Sequence, residues 1–192
     1  MITSEKHMKN LSVCLFLVLV PLTNLFAHGP TRQQVTESVN IDAPPEQVWA
    51  LVGNFSALHE WHPAIASTEM KDDKTRILSL EQGGTIAEEL KQIDDAKMLL
   101  KYRIADMTTV ETFEFAGKPV ERKVLPVNTY SATLSVAPGP TGSTVTWKGK
   151  FYRGYLLNPP TPEGMSDQSA VEAITAVYRA GLDNLKSMLE KR

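Results

Sequence analysis

Glu88 is the residue of this sequence best placed for acid–base chemistry. It lies in residues 85–93, where Ile86, Glu88 and Leu90 share one face of an alternating pattern that predicts a strand with one buried side. A carboxyl group on that side loses water, which disfavours its charged form, raises its pKa and suits it to proton transfer. The competing interpretation is an edge or mouth position, where the carboxylate stays solvated.

Tyr102 is the second candidate for catalysis, on the inward face of the strand predicted over residues 97–104. Its hydroxyl would either hydrogen-bond Glu88 or pack without a polar partner. An ion pair between Glu88 and Arg103 is not favoured, because Arg103 shares the opposite face with Lys101. The pattern alone assigns no catalytic residue, and Glu88 and Tyr102 remain the candidates.

Metal binding is a second kind of chemistry, and it depends on three histidines. His59 and His62 are three residues apart, and His28 would supply both an imidazole and an amine if the chain were cut just before it. Such a set suits copper or zinc. Nothing in the sequence brings the three together, so we predict no metal. We expect His59 to be exposed and His62 to be held in a turn by Trp61. We expect His59, Trp61 and His62 to lie at the mouth of a cavity.

Other classes of chemistry lack their motifs. No Gly-x-Ser-x-Gly sequence is present, so covalent catalysis is not expected. No Cys-x-x-Cys-His sequence is present for a c-type heme, and Cys14 is the single cysteine. We expect no cofactor. The chain has 20 Lys and Arg against 22 Asp and Glu, a formal net charge of −2, which predicts neither nucleic acid nor an anionic membrane as a partner.

Residues 1–27 have the pattern of a secretory signal peptide. A weakly basic start precedes an apolar run over residues 11–22, and the small Ala27 marks the expected cleavage point. The run is short for a membrane span and Pro21 interrupts it, so we expect no stable membrane anchor. Cleavage would leave residues 28–192 as a single periplasmic domain without a thiol.

Strands and two helical regions are predicted along the rest of the chain. Pro44 and Pro45 suit the first turn of a helix, and a second short helical turn ends near Trp61. Residues 105–128 carry a glycine, prolines and charges, and predict an inserted loop that is a candidate lid. Further strands are predicted over residues 35–41, 65–70, 75–80, 129–137 and 143–153, and a long amphipathic helix over residues 167–189.

The inward faces of the predicted strands are apolar. Such a wall suits a hydrophobic ligand in a cavity between the sheet and the last helix, or a core that the side chains simply fill. The choice depends on volume, which the sequence does not give. The predicted wall comprises Leu90, Leu100, Tyr102, Leu134, Trp147 and Phe151.

The order of these elements and several local motifs resemble the START/Bet v 1 (SRPBCC) superfamily, in particular its polyketide cyclase/dehydrase-like branch. The resemblance covers nearly all of residues 28–192. It implies an α+β helix-grip fold, in which a curved seven-stranded antiparallel sheet wraps a long C-terminal helix and two short helices follow the first strand. The motifs are IDAPPEQVW at 41–49, WHP at 61–63, EEL at 88–90, LKYRI at 100–104, VTW at 145–147 and YRAGLDNLK at 178–186.

Within that branch, a secreted chain with His28-Gly29-Pro30 after its signal resembles the MxaD family of periplasmic proteins associated with methanol oxidation. This implies an accessory role beside a quinoprotein alcohol dehydrogenase and its c-type cytochrome. Our leading expectation is a non-catalytic periplasmic protein that holds a small hydrophobic molecule or assists that system. The alternatives are a cyclase, dehydratase or lyase that uses Glu88 and Tyr102, and a histidine-based metal-binding protein.

Overall fold

The computed structural model describes residues 29–191, so the predicted signal peptide and His28 lie outside the described residues. None of the helices in this range is both long and apolar enough to cross a membrane. The elements, in chain order, are β1 (Gln33–Ile41), α1 (Pro45–Val52), β2 (Ile65–Met70), β3 (Thr75–Leu80), β4 (Thr85–Asp94), β5 (Leu99–Met107), β6 (Thr109–Phe115), β7 (Lys118–Lys123), β8 (Val127–Gly139), β9 (Gly142–Arg153) and α2 (Asp167–Glu190).

Seven of these strands form one antiparallel sheet in the order β1-β9-β8-β5-β4-β3-β2. Helix α2 packs against β1 and β9 on one face of this sheet. The predicted α+β helix-grip fold is therefore confirmed, including the seven-stranded sheet and the long C-terminal helix. The second short helix after the first strand is a single 3₁₀ turn, Leu58–Glu60.

Helix α2 is amphipathic, and its apolar face determines how it docks. The hydroxyl of Ser166 accepts a hydrogen bond from the Ser169 N–H at 3.1 Å, which caps the first turn. Buried side chains then recur at spacings of three and four residues, so one stripe of the helix faces the sheet. These buried residues are Ala170, Ile174, Tyr178, Gly181, Leu182, Leu185 and Leu189.

Helix α1 closes one end of the sheet. Pro45 occupies its first turn, as predicted, and Val48, Trp49 and Val52 are buried. The helix packs against β8 and β9. The indole N–H of Trp49 donates to Asp95 Oδ1 at 3.0 Å, which ties α1 to the connection between β4 and β5. Side chains of the sheet at this end are therefore covered by α1.

The prediction of a loop over residues 105–128 is wrong, because most of this segment is strand. Strands β6 and β7 form a separate two-stranded antiparallel sheet. Ala116 and Gly117 make the turn between them, with φ angles of 51° and 72°. Pro119 is tolerated because β7 has a strand neighbour on one side only. The glycine and proline that suggested a loop are thus the turn and an edge position of a hairpin.

A cavity with a buried ion pair between the sheet and the C-terminal helix

A cavity of about 370 Å³ lies between the sheet and α2. Four of the residues along it are exposed, Ala64, Gln82, Ala176 and Ala180, and these mark where it meets solvent beside α2 and the β3–β4 turn. The volume falls within the range of small-molecule sites. The aliphatic part of its lining includes Leu58, Ile65, Leu78, Ile86, Ile104 and Ile174.

Only part of the predicted wall lines this cavity. Tyr102 and Trp147 do so. Leu100, Leu134 and Phe151 are at most 1% exposed and belong to the core cluster without lining the cavity, and Leu90 is half-buried against that core. Alternation along a strand identifies the inward face, but it does not show which part of that face α1 covers.

Glu88 lines the cavity and forms a buried ion pair with Arg76. The two residues lie opposite each other on β4 and β3. Arg76 Nε donates to Glu88 Oε2 at 2.7 Å and Arg76 Nη2 lies 2.6 Å from the same oxygen, while the side chains are 2% and 6% exposed. Arg76 Nη1 also donates to the Phe55 carbonyl at 2.6 Å, and the guanidinium lies 4.1 Å from the centre of the Phe55 ring. The arginine is therefore fixed on several sides.

Burial raises the pKa of Glu88, and the charge and hydrogen bond of Arg76 oppose that rise. Both contacts from Arg76 go to Oε2, and Glu88 Oε1 has no hydrogen-bond partner among residues 29–191. The structure shows the predicted inward orientation of the Glu88 side chain, and it does not show the alternative, a solvated position at the edge or mouth. The sequence reasoning missed Arg76, although Arg76 alternates with the inward residues Leu78 and Leu80 and this parity could have identified it.

Three tyrosines and a tryptophan form a buried polar cluster beside the ion pair. The Trp147 indole N–H donates to Tyr102 Oη at 3.0 Å, Tyr102 Oη lies 3.4 Å from Tyr130 Oη, and Tyr130 Oη lies 2.5 Å from Tyr178 Oη. Burial raises the pKa of all three hydroxyls, so they stay protonated at ordinary pH. The sequence had allowed either a hydrogen bond between Tyr102 and Glu88 or none. Among the described residues, no hydrogen bond joins the two.

Two glycines make room for this cluster. A Cβ at Gly149 on β9 would overlap the Tyr178 hydroxyl. A Cβ at Gly181 on α2 would lie 2.6 Å from Cδ2 of His62 and 3.1 Å from Cζ3 of Trp147. The sheet and helix can approach closely only because both positions lack a side chain.

The three residues predicted at the cavity mouth lie in different environments. His62 is buried and lines the cavity, with Nε2 donating to the Val177 carbonyl at 3.0 Å and Nδ1 accepting from the Ala64 N–H at 3.2 Å. Burial lowers the pKa of His62. Trp61 is buried in the core behind it, 5.7 Å from Trp147 between ring centres. His59 is exposed and does not line the cavity.

The described histidines do not converge on a common point. Both ring nitrogens of His62 are occupied by backbone groups, whereas His59 points to solvent. Across residues 29–191, no group of three or more His, Cys, Asp and Glu side chains is placed to hold a metal ion. His28 lies outside the described residues.

The fold and cavity define a protein of the START/Bet v 1 helix-grip class, whose architecture is that of ligand-binding proteins. The sequence gives the family. The profile described as "Polyketide cyclase / dehydrase and lipid transport" matches residues 32–190, so the chain belongs to that family. Among curated proteins, no sequence matches this chain significantly.

Solved structures with the same fold include proteins of diverse names. The protein XoxI from Bacillus cereus is 28% identical, with a TM-score of 0.65 over 82% of this chain and 95% of its own. A START superfamily protein from Mycobacterium smegmatis is 16% identical, with a TM-score of 0.56 over 82% of this chain and 97% of its own. Ara h 8.0201 is 14% identical, with a TM-score of 0.59 over 84% of this chain and all of its own. The last two support the fold alone.

Proposed function

We propose that this protein binds a small hydrophobic molecule in the cavity between the sheet and α2. The observation that carries the proposal is the combination of volume and lining: about 370 Å³ of space walled mainly by aliphatic and aromatic side chains. Protein cores are close-packed, so a core without a binding role would not contain a void of this size. The lipid-transport part of the family description agrees with such a ligand.

A variant that blocks the cavity mouth tests this proposal. Ala176 is an exposed residue of α2 that lines the mouth, so Ala176→Trp should fold and should reduce binding of an uncharged hydrophobic dye such as Nile red about tenfold or more. The control is Glu172→Trp, one turn earlier on the same helix and outside the cavity. Equal dye binding by both variants, or none by the wild-type protein, would count against the proposal.

We further propose that the protein is exported to the periplasm and acts there as an accessory to an alcohol dehydrogenase or its c-type cytochrome. The signal-peptide pattern of residues 1–27 and the resemblance to MxaD support this role. The uncovered face of the sheet offers a docking surface. Lys101, Lys148 and Lys150 are exposed there on β5 and β9, and none forms a salt bridge with an acidic side chain in the described range. An acidic partner surface would complement them.

Charge reversal on this face tests the accessory role. A Lys101→Glu/Lys148→Glu double variant should slow association with the purified dehydrogenase or cytochrome in surface plasmon resonance, most strongly at low salt, since exposed charges mainly change association rates. A Lys118→Glu/Lys191→Glu double variant, on β7 and at the end of α2, is the charge-matched control. Wild-type protein that fails to bind either partner would remove this role but would leave ligand binding intact.

An enzymatic role of the cyclase or dehydratase type is the second candidate. It is favoured by one observation: Glu88 lines the cavity with a raised pKa, as a general acid or base would. Mass spectrometry of a recovered ligand before and after incubation with the protein tests it. Chemical change that is lost in Glu88→Gln would support catalysis, whereas a ligand that is always recovered unchanged would support binding alone.

A further inference from the structure

We infer that the ligand of this cavity carries an alcohol-type hydroxyl, which accepts a hydrogen bond from a tyrosine and donates one to Glu88. This inference rests on the proposed ligand binding and adds the chemical class of the ligand. Its basis is one acceptor and one donor along the cavity wall that have no partner among residues 29–191.

The unused acceptor is Glu88 Oε1. The contacts of Arg76 with this carboxylate involve Oε2, and Oε1 has no hydrogen-bond partner among residues 29–191. Glu88 lines the cavity, so a ligand there can reach this oxygen, and a donor on the ligand can take the place of the water that a carboxylate otherwise binds. The adjacent positive charge of Arg76 balances the carboxylate, so the site does not require a cationic ligand.

The unused donor comes from the tyrosine cluster. Tyr178 is fully buried, and its hydroxyl contacts only the Tyr130 hydroxyl among the described side chains, a contact in which either oxygen can donate. Trp147 can only donate, and it donates to Tyr102. The three tyrosines therefore have three protons for the two contacts between their hydroxyls, and one O–H is left over. A spare O–H on the buried Tyr178 would have no partner, whereas Tyr102 and Tyr130 line the cavity and can direct theirs to a ligand.

This pair of unused groups discriminates among ligands. A hydrocarbon satisfies neither group, and an ether or ketone satisfies only the tyrosine, because it accepts but cannot donate. An ammonium group donates to Glu88 but accepts nothing from the tyrosine. A carboxylate brings a second negative charge beside Glu88. A hydroxyl donates and accepts at once, and His62 does not compete for it because backbone groups occupy both of its nitrogens.

A matched ligand series tests this inference with the purified mature protein. Decanol, nonyl methyl ether, decane and decanoate differ mainly in their polar end. Binding can be followed by calorimetry or by tryptophan emission, since one of the three tryptophans, Trp147, lines the cavity. After correction for transfer out of water, decanol should bind roughly tenfold to a hundredfold more tightly than the ether. Equal binding of all four overturns the inference but leaves the proposed function standing, whereas no binding of any of them counts against both.

Variants of two neighbouring glutamates locate the preference. In Glu88→Gln the advantage of decanol over the ether should shrink to about threefold or less, because a neutral amide accepts more weakly than a carboxylate. Glu89→Gln, on the opposite face of the same strand, should keep the full advantage. If Glu88→Gln does not fold, the Arg76→Met/Glu88→Gln double variant removes both charges and should show the same loss. An undiminished preference in a folded variant of Glu88 overturns the inference.

Discussion

Glu88 and Glu89 are neighbours on β4, yet they lie on opposite faces of the sheet and behave differently. Glu88 is paired with Arg76 in the cavity wall, where burial raises its pKa. Glu89 is on the outer face, where hydrogen bonds from Lys91 and Arg103 lower its pKa. Two carboxylates of the same chemistry are therefore driven in opposite directions by their surroundings.

The comparison shows what each ion pair contributes. Ion pairs on an exposed face are screened by water and stabilise a protein little. A buried pair has lost its water, so its attraction mainly offsets the cost of burial, and an apolar pair of similar volume would serve stability as well or better. Stability therefore does not require the Arg76–Glu88 pair. The inferred contact between Glu88 and a ligand hydroxyl would give the pair a role in binding.

The two faces should differ most in how much stability is lost when one partner of an ion pair is removed. Arg76→Met should lower the free energy of unfolding by about 3–5 kcal/mol, because it leaves the buried carboxylate of Glu88 without its cation. Urea denaturation measures this. Arg103→Met on the outer face should leave the denaturation midpoint almost unchanged. Similar losses in both variants would contradict the distinction between the faces.

The second difference concerns packing on β9. Gly149→Ala should destabilise the protein by about 1–3 kcal/mol, since the added methyl group overlaps the buried Tyr178 hydroxyl. An alanine within a strand ordinarily stabilises relative to glycine, so the sign of the effect is the test. Lys150→Ala, the next residue on the outer face, should have little effect on thermal unfolding. A stabilised Gly149→Ala variant would show that the tyrosine moves aside without cost.

The third difference concerns the two histidines near the cavity mouth. Burial lowers the pKa of His62 below its ordinary value of 6.5, so the unfolded chain binds a proton at a pH where the folded chain does not. Stability should therefore fall as the pH drops below 6.5, by at most about 1.4 kcal/mol per pH unit from this group. A folded His62→Gln variant should lose that part of the slope. His59→Gln should retain it, because His62 is intact there.

The smallest expected effect is in the titration of the two glutamates. Carboxyl carbon NMR should place the pKa of Glu88 above the ordinary 4.5 and that of Glu89 below it. The stability contributions have opposite signs. Ionisation of Glu88 lowers the stability of the fold as the pH rises through its folded pKa. Ionisation of Glu89 adds stability, which is present above pH 4.5 and is lost as the pH falls through its folded pKa. Titration of both at the same pH would contradict the contrast between the faces.

The candidate site was predictable in part from alternation. The period of two placed Glu88 and Tyr102 on the inward face, since successive side chains of a strand point in opposite directions. The same rule would have placed Arg76 there too, but an arginine in an alternating strand is ordinarily an exposed residue. Its pairing with Glu88 depends on the register between β3 and β4. The amino-acid composition of two strands joined by a turn does not reveal that register.

By itself the sequence determined the strands of the main sheet and the long C-terminal helix, because these depend on local periodicity and turn chemistry that neighbouring residues carry. The helix-grip class followed from the resemblance of its motifs to a known family. Only the tertiary structure decided which part of the space between the sheet and the helices is filled by side chains and which part is a cavity. Leu100, Leu134, Tyr102 and Trp147 all face inward and belong to one core cluster, but only Tyr102 and Trp147 line the cavity. The difference arises because α1 covers one end of the sheet and the space beside α2 stays open, and packing between distant elements is not encoded in any local pattern.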